Sequence, residues 1–285
     1  MGMTKIHYLM IQSIFVITSF IFFSCTSCEK NPEKEEEKTV IVAHRKIKRE
    51  TNDTLIYPSE KEIDDKKFLI LIMNPRLCYV SFADNQIPDI QNPDIALCVE
   101  AAFTGAYLDK FKTTNIAGDY VVEGRLENGY KCTVNTGLLC SLPGMKPQIA
   151  NNIKIDSWLK KASEYGGNLF QQVLLIHNYV DCYSGKPVKR TSKNIYRAAC
   201  ILNDKQFAVI QSLEEISLGN FVNALTAIKV KDALYLDMGT GWNYGWYRET
   251  SRSNPIELFD FRSPFQTNWL VIRTKSSMPM SGFPN

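Results

Sequence analysis

Histidine is scarce in this chain: three occur in 285 residues, and beyond residue 44 only His177 remains. No Cys-x-x-Cys pair occurs beyond residue 28. Together these absences exclude a zinc site of the cysteine–histidine kind. There is no Gly-x-Ser-x-Gly elbow and no focal serine with histidine and aspartate partners, which argues against serine-nucleophile chemistry. A phosphate loop of the Gly-x-x-x-x-Gly-Lys type is missing, as is a Gly-x-Gly-x-x-Gly turn between strand and helix. An excess of one charge is missing too: 33 Lys and Arg face 30 Asp and Glu, for a net charge of +3 and a pI of about 8.3. Nucleic acid is therefore not an expected partner, and the short basic stretch 44–49 reads as a solvated strand face. No internal repeat occurs, and the one low-complexity segment is the charged run at 29–38. No cofactor is expected. Calcium is the one ion that carboxylates and an asparagine could hold, but no spaced ligand motif supports a metal site.

What is present begins at the amino end. Lys5 precedes a run at 11–23 that is apolar except for Gln12, Ser13, Thr18 and Ser19. That run is short for a membrane span, which needs about 20 residues, and fits the apolar core of an export signal. It stops at Ser24-Cys25. A small residue directly before cysteine is the pattern of a bacterial lipoprotein signal, so residues 1–24 are expected to be removed and Cys25 lipidated. Cys28 is the competing position, and a plain signal peptide or single membrane helix is the alternative. Residues 25–39, charged and proline-containing, read as a flexible tether. A folded domain is then expected over 40–285, held at a membrane of the cell envelope and facing periplasm or cell surface. At 45% hydrophobic and 22% charged, the chain has the composition of a protein that buries a core.

Six cysteines remain, an even number that in an exported protein invites disulfides. Cys98 and Cys200 sit inside apolar runs, where cysteine behaves as a small buried hydrophobe. Cys132 and Cys140 are the pair that two hairpin strands could bring together.

The remaining pattern predicts an α+β fold, a mixed β-sheet with few helices. Strands are expected at 68–73 and 78–82, joined by a tight turn. A strand or short helix is expected at 95–103, and a hairpin turns at Asn128-Gly129. A short helix over 156–165 stops at Gly166-Gly167. A buried strand follows at 170–180, then a hairpin around Asn203-Asp204. The clearest helix is 218–230, with Leu218, Phe221, Val222, Leu225 and Ile228 on one stripe and Ser217 as its cap. It leads into a short strand, 233–236, that ends on Asp237.

That ending carries the chemical interest. Leu236-Asp237-Met238-Gly239-Thr240-Gly241-Trp242-Asn243-Tyr244-Gly245-Trp246 packs an acid, glycines, an asparagine and aromatics into one loop. Glycines let a ligand approach the backbone, and their N–H groups suit anionic oxygens. Gly239, Thr240, Gly241, Trp242 and Asn243 are candidate substrate contacts. Trp242, Tyr244 and Trp246 could instead form a sugar-stacking wall or simply pack. Asp237 closes an apolar strand, and an unpartnered carboxylate there is costly. Glu100, His177 and Arg197 are likewise solitary polar groups in apolar segments. If the segments lie side by side, Asp237, Glu100, His177 and Arg197 converge as a catalytic set: carboxylates for acid–base work or attack at a sugar carbon, arginine for a phosphate.

These motifs resemble those of the phosphodiester glycosidase family, which includes the mannose 6-phosphate uncovering enzyme, and in particular a bacterial lipoprotein branch of it. The likeness runs over about 65–275. It rests on Val99-Glu100-Ala101-Ala102-Phe103, Ile116-Ala117-Gly118-Asp119, Asn128-Gly129-Tyr130, Arg197 in a strand, and Leu234-Tyr235-Leu236-Asp237 with its glycine loop. Family members usually carry Asn-Gly-Gly-Phe where this chain has Glu100 to Phe103, and Leu-Asp-Gly-Gly-Gly-Ser from Leu236 onward. The resemblance implies the family fold and a cleft for a sugar phosphodiester or glycan, with Arg197 and Asp237 at motif positions. It implies a hydrolase, or a binding lipoprotein that has kept the cleft without the chemistry.

Overall fold

The computed structural model describes residues 53–104, 116–239, 243–259 and 267–277. The signal, Cys25, Cys28, the tether and the basic stretch 44–49 lie outside them, as do Thr240, Gly241 and Trp242. Three large sheets and a two-stranded ribbon, Lys193–Asn194 with Ile216–Ser217, form the described structure. The first has seven strands in the order Ile56–Ile63, Lys66–Met73, Phe207–Ser212, Arg197–Leu202, Val230–Leu236, Leu174–His177 and Val180–Asp181. The second has five: Ile256–Phe259, Gly245–Tyr247, Ile95–Glu100, Asn268–Thr274 and Cys78–Asp84. The third also has five: Arg125–Glu127, Tyr120–Val122, Asn168–Gln172, Gly137–Ser141 and Gln148–Asn151.

Every pairing within these sheets is antiparallel, which corrects the expected mixed sheet to a mostly β architecture. Two α-helices are described, α1 over Ile155–Glu164 and α2 over Leu218–Ala227. The physical reason lies in the connections. Three hairpins turn through two residues that both have positive φ: Asp64-Asp65, Glu123-Gly124 and Asn178-Tyr179. That left-handed pair matches the strand twist and sends the chain straight back. The expected turn at Asn128-Gly129 is displaced to Glu123-Gly124, where Gly124 sits at φ 84°. Gly129 instead donates its N–H to Asp119 Oδ1 at 3.1 Å.

Two other expectations are corrected. The strand from Cys78 does not fold back on Lys66–Met73; it pairs with Asn268–Thr274 in the second sheet. Asn74 redirects the chain by bonding the Thr54 carbonyl at 2.7 Å and the Arg76 N–H at 3.0 Å. The run 170–180 is not one strand. Asn168–Gln172 belongs to the third sheet and Leu174–His177 to the first, with Val173 as the crossing point. The stretch Val173-Leu174-Leu175-Ile176, where the chain changes sheets, is continuously apolar and gives no alternation to mark the transfer.

The core lies between the three sheets. Leu71, Ala199, Val209, Leu234 and Leu236 from the first meet Leu97, Val99 and Leu270 from the second and Leu139 and Phe170 from the third. The opposite face of the first sheet is covered by α2 through Leu218, Phe221, Val222 and Leu225, each side chain contributing roughly 1.5–3 kcal/mol by burial. Ser217 caps α2 as expected, accepting the Asn220 N–H at 3.1 Å. The outer face of the third sheet is covered by α1 through Leu159 and Ala162. The hairpin at Asn203-Asp204 forms, pairing Arg197–Leu202 with Phe207–Ser212. All six described cysteines are free thiols. Cys132 lies in a loop while Cys140 faces the α1 layer, where burial pushes its thiol up to about 11.

Candidate active site

Arg197 opens its strand opposite Gln211 on one side and Leu236 on the other. Side chains alternate along a strand, so Arg197 shares the inner face with Ala199, and it is fully buried there. Its Nε donates to Gln211 Oε1 at 2.8 Å and its Nη2 to the Asn243 carbonyl at 3.1 Å. Its Nη1 has no hydrogen-bond partner among the described residues. Burial pulls its pKa down to about 9, and the negative charge of Glu100 opposes that fall, so the guanidinium stays cationic at neutral pH. Gly245 makes room for it: a methyl group there would come within 2.7 Å of Val99 Cγ1 and 3.3 Å of Arg197 Nη1.

Glu100 ends the strand Ile95–Glu100, opposite Trp269, and is also fully buried. Asn268 Nδ2 approaches its Oε1 at 3.4 Å. Next to it, the Ala101 carbonyl accepts the backbone N–H of Asp237 at 3.0 Å, and so joins the ends of two sheets.

Asp237 follows Leu236 and is 7% exposed. Leu236 faces the inner core with Arg197, whereas Tyr235 faces the helix side. Alternation puts Asp237 with Tyr235, and burial followed by the Asp237 charge drives the Tyr235 phenol well above its ordinary range. Burial raises the Asp237 carboxyl to about 7, against the pull of backbone N–H groups from Gly239, Met238 and Thr104. The Gly239 N–H lies 3.2 Å from Oδ1. The two carboxylates thus flank the segment from Glu100 to Thr104 from different sides. A narrow apolar crevice lined by Phe103, Val173, Tyr183, Leu218 and Tyr235 adjoins the Asp237 side.

His177 does not join this group. It ends the strand Leu174–His177 beside Asp232, with Nδ1 at 2.9 Å from Asp232 Oδ1 and Nε2 at 3.2 Å from Asn178 Nδ2. Asp232 and Asp237 are five strand residues apart, roughly 17 Å at the rise of an extended strand. The glycine loop is described only in part. Gly239 bonds Asp237, and Asn243 presents its carbonyl to Arg197, with its own Oδ1 buried and unpartnered among the described residues. Tyr244 and Trp246 form no open wall; they are fully buried with Trp269, Ile95 and Cys98, and the Arg248 guanidinium lies 5.5 Å above the Trp246 ring. Among the described residues no group of three or more His, Cys, Asp or Glu side chains could hold a metal ion.

Sequence reasoning missed Asn268, Gln172 and Gln211, buried amides at the same junction. Asn268 stands at the head of an apolar run, but Gln172 follows Gln171 and Gln211 precedes Ser212, so neither glutamine is solitary in its strand.

No protein-family model matches the chain, and no curated protein does. Among solved structures it resembles the catalytic domain of zebrafish N-acetylglucosamine-1-phosphodiester alpha-N-acetylglucosaminidase, auto-inhibited by its pro-peptide, at 12% identity and a TM-score of 0.50, over 79% of this chain and 85% of that one. A hypothetical protein from Synechocystis aligns at 10% identity and a TM-score of 0.49, over 79% of this chain and 63% of the other. At such identities the likeness is one of fold.

Proposed function

We propose that this protein hydrolyses glycosidic phosphodiesters, in which a phosphate joins an alcohol to the anomeric carbon of a sugar. The observation that carries this reading is Asp237, a buried carboxyl raised to about 7 at a strand end, one residue beyond the Leu236 that pairs with Arg197. A group that exchanges its proton near neutrality suits general acid–base work. In this reading water adds to the anomeric carbon as the bond to the phosphate oxygen breaks, and Asp237 takes the proton lost by the water. A free sugar and a phosphate monoester leave. Arg197 supplies positive charge and one N–H uncommitted among the described residues toward the phosphate, with the Gly241 amide assisting, while the Gly239 N–H holds Asp237. Thr240, Trp242 and Asn243 hold the sugar, and Glu100 orients Arg197. The fold likeness to a phosphodiester α-N-acetylglucosaminidase supports the substrate class. Cys25 anchors the protein by lipid in the cell envelope, and Cys25→Ala should move it from the membrane to the soluble fraction.

The test is release of free sugar from a panel of sugar-1-phosphodiesters by wild type, Asp237→Asn and Arg197→Lys, with melting curves alongside. Release by wild type that falls at least a hundredfold in Asp237→Asn supports the reading. Equal release by all three, or none by wild type across the panel, rejects it.

A second reading is a non-catalytic lipoprotein that captures glycan phosphodiesters. It is favoured by the complete burial of Glu100 and Arg197. It predicts saturable heat on titration of a glycan phosphodiester with no product formed.

A further inference from the structure

We infer that Asn268 is a positioning residue: it clamps the segment Glu100-Ala101-Ala102-Phe103-Thr104 as one bracket and so fixes both candidate carboxylates, Glu100 and Asp237, from a third position in the fold. The inference deepens the hydrolase reading and rests on it for its functional meaning, but its test needs no turnover.

Asn268 begins the strand Asn268–Thr274 and is fully buried. Its Oδ1 accepts the Ala102 N–H at 2.7 Å, and its Nδ2 donates to the Ala102 carbonyl at 3.1 Å and toward Glu100 Oε1 at 3.4 Å. One side-chain amide therefore holds both polar groups of Ala102 and one carboxylate oxygen. Neither an apolar side chain nor a hydroxyl of the same reach offers two donors and an acceptor in this arrangement. One residue earlier, the Ala101 carbonyl receives two N–H groups, from the Asp237 backbone at 3.0 Å and from Gln172 Nε2 at 3.3 Å. Gln172 is fixed in turn by the Val173 N–H on its Oε1 at 2.8 Å. Two residues beyond Ala102, the Thr104 backbone N–H reaches the Asp237 carboxyl.

The bracket thus touches Glu100 at its start through Asn268 and Asp237 at its end through Thr104. It is held by buried amides from the second sheet, Asn268, and from the third, Gln172, where it crosses the end of a strand of the first. Losing Asn268 frees Ala102 to shift and slackens the Thr104 N–H on Asp237. An N–H that bonds the ionised carboxyl favours that form, so slackening it moves the Asp237 titration upward.

The experiment is a pH titration of aspartate side-chain carbons by NMR in wild type, Asn268→Ala and Gln172→Met, with thermal melts in parallel. Asp237→Asn identifies the Asp237 signal, which should titrate at about 7 in wild type. Ser141→Ala serves as a control, since Ser141 is a buried hydroxyl bonded to the Val80 carbonyl and destabilises without touching the bracket. The expected result is an upward move of the Asp237 midpoint by about one pH unit in Asn268→Ala, less in Gln172→Met, and none in Ser141→Ala. Should Asn268→Ala fail to fold, Gln172→Met against Ser141→Ala decides. An unmoved midpoint in the folded bracket variants, or an equal move in Ser141→Ala, overturns the inference. A moved midpoint with no sugar release by wild type leaves the bracket standing and rejects the hydrolase reading instead.

Discussion

Arg197 and His177 both interrupt apolar strands of the seven-stranded sheet, one at the end where Leu236 lies, the other at the opposite end beside Asp232. Arg197 is sealed from solvent, carries a neighbouring carboxylate in Glu100, and has its pKa pulled down to about 9 by burial. His177 keeps 32% of its side chain exposed and pairs with an Asp232 that also accepts the Asn178 N–H and lies 3.5 Å from Lys231 Nζ. The first arrangement is expensive to build and is shared by three sheets. The second closes a hairpin turn and needs only the adjacent strand that carries Asp232. A lone polar residue in an apolar run can therefore mark either a junction or a turn, and what separates the two is how many distant segments must be present before its charge is tolerated.

The comparison breaks most directly at Arg197. Arg197→Ala should cost about 3–5 kcal/mol, because it removes a buried cation whose field reaches Glu100 and the donor that Gln211 Oε1 accepts. Denaturant unfolding checks this, and a loss under about 1 kcal/mol would show that the pair is already solvated. Next in size is the pH dependence of Asp237. Its folded pKa is raised from 3.8 to about 7, so between those values the native state holds a proton that the unfolded state has released. Its contribution is full below 3.8 and is lost as pH rises to about 7, on the order of 4 kcal/mol in all. Asp237→Asn should flatten the stability curve over that window, and wild-type and variant curves running parallel would contradict the burial argument. Gly245→Ala should cost about 1–3 kcal/mol by pressing on Val99 and displacing the Arg197 guanidinium. The smallest effect is expected at the other end of the sheet. His177→Gln should change stability by less than about 1 kcal/mol, because Asp232 keeps the Asn178 N–H and the nearby Lys231, and leave sugar release within twofold. A large loss of release there would erase the contrast between the two ends.

Much of this was legible in the residues. The stripe of α2, its serine cap, the hairpin at Asn203-Asp204 and the strand ending on Asp237 follow from periodicity and capping, which are local. The expectation that Glu100, His177, Arg197 and Asp237 converge rested on their solitude in apolar runs; the structure puts Arg197 on the core face, Asp237 on the helix face and His177 at the other strand end. Solitude is a local property and cannot distinguish them. Asn268 and Gln172 were overlooked because an amide in an apolar strand carries no charge to announce its cost, although its buried hydrogen bonds are as obligatory.

By itself the sequence determined the two helices, the hairpin at Asn203-Asp204, the apolar stripe of α2, and that Asp237 stands where a strand gives way to a glycine loop. Those follow from interactions within a few residues. Only the tertiary structure decided that the sheets are antiparallel, that residues 168–177 divide between two of them, and that Asp237 faces the helix side while Arg197 faces the core. These depend on pairings between residues far apart in the chain, and the faces they select are set by which strand ends meet.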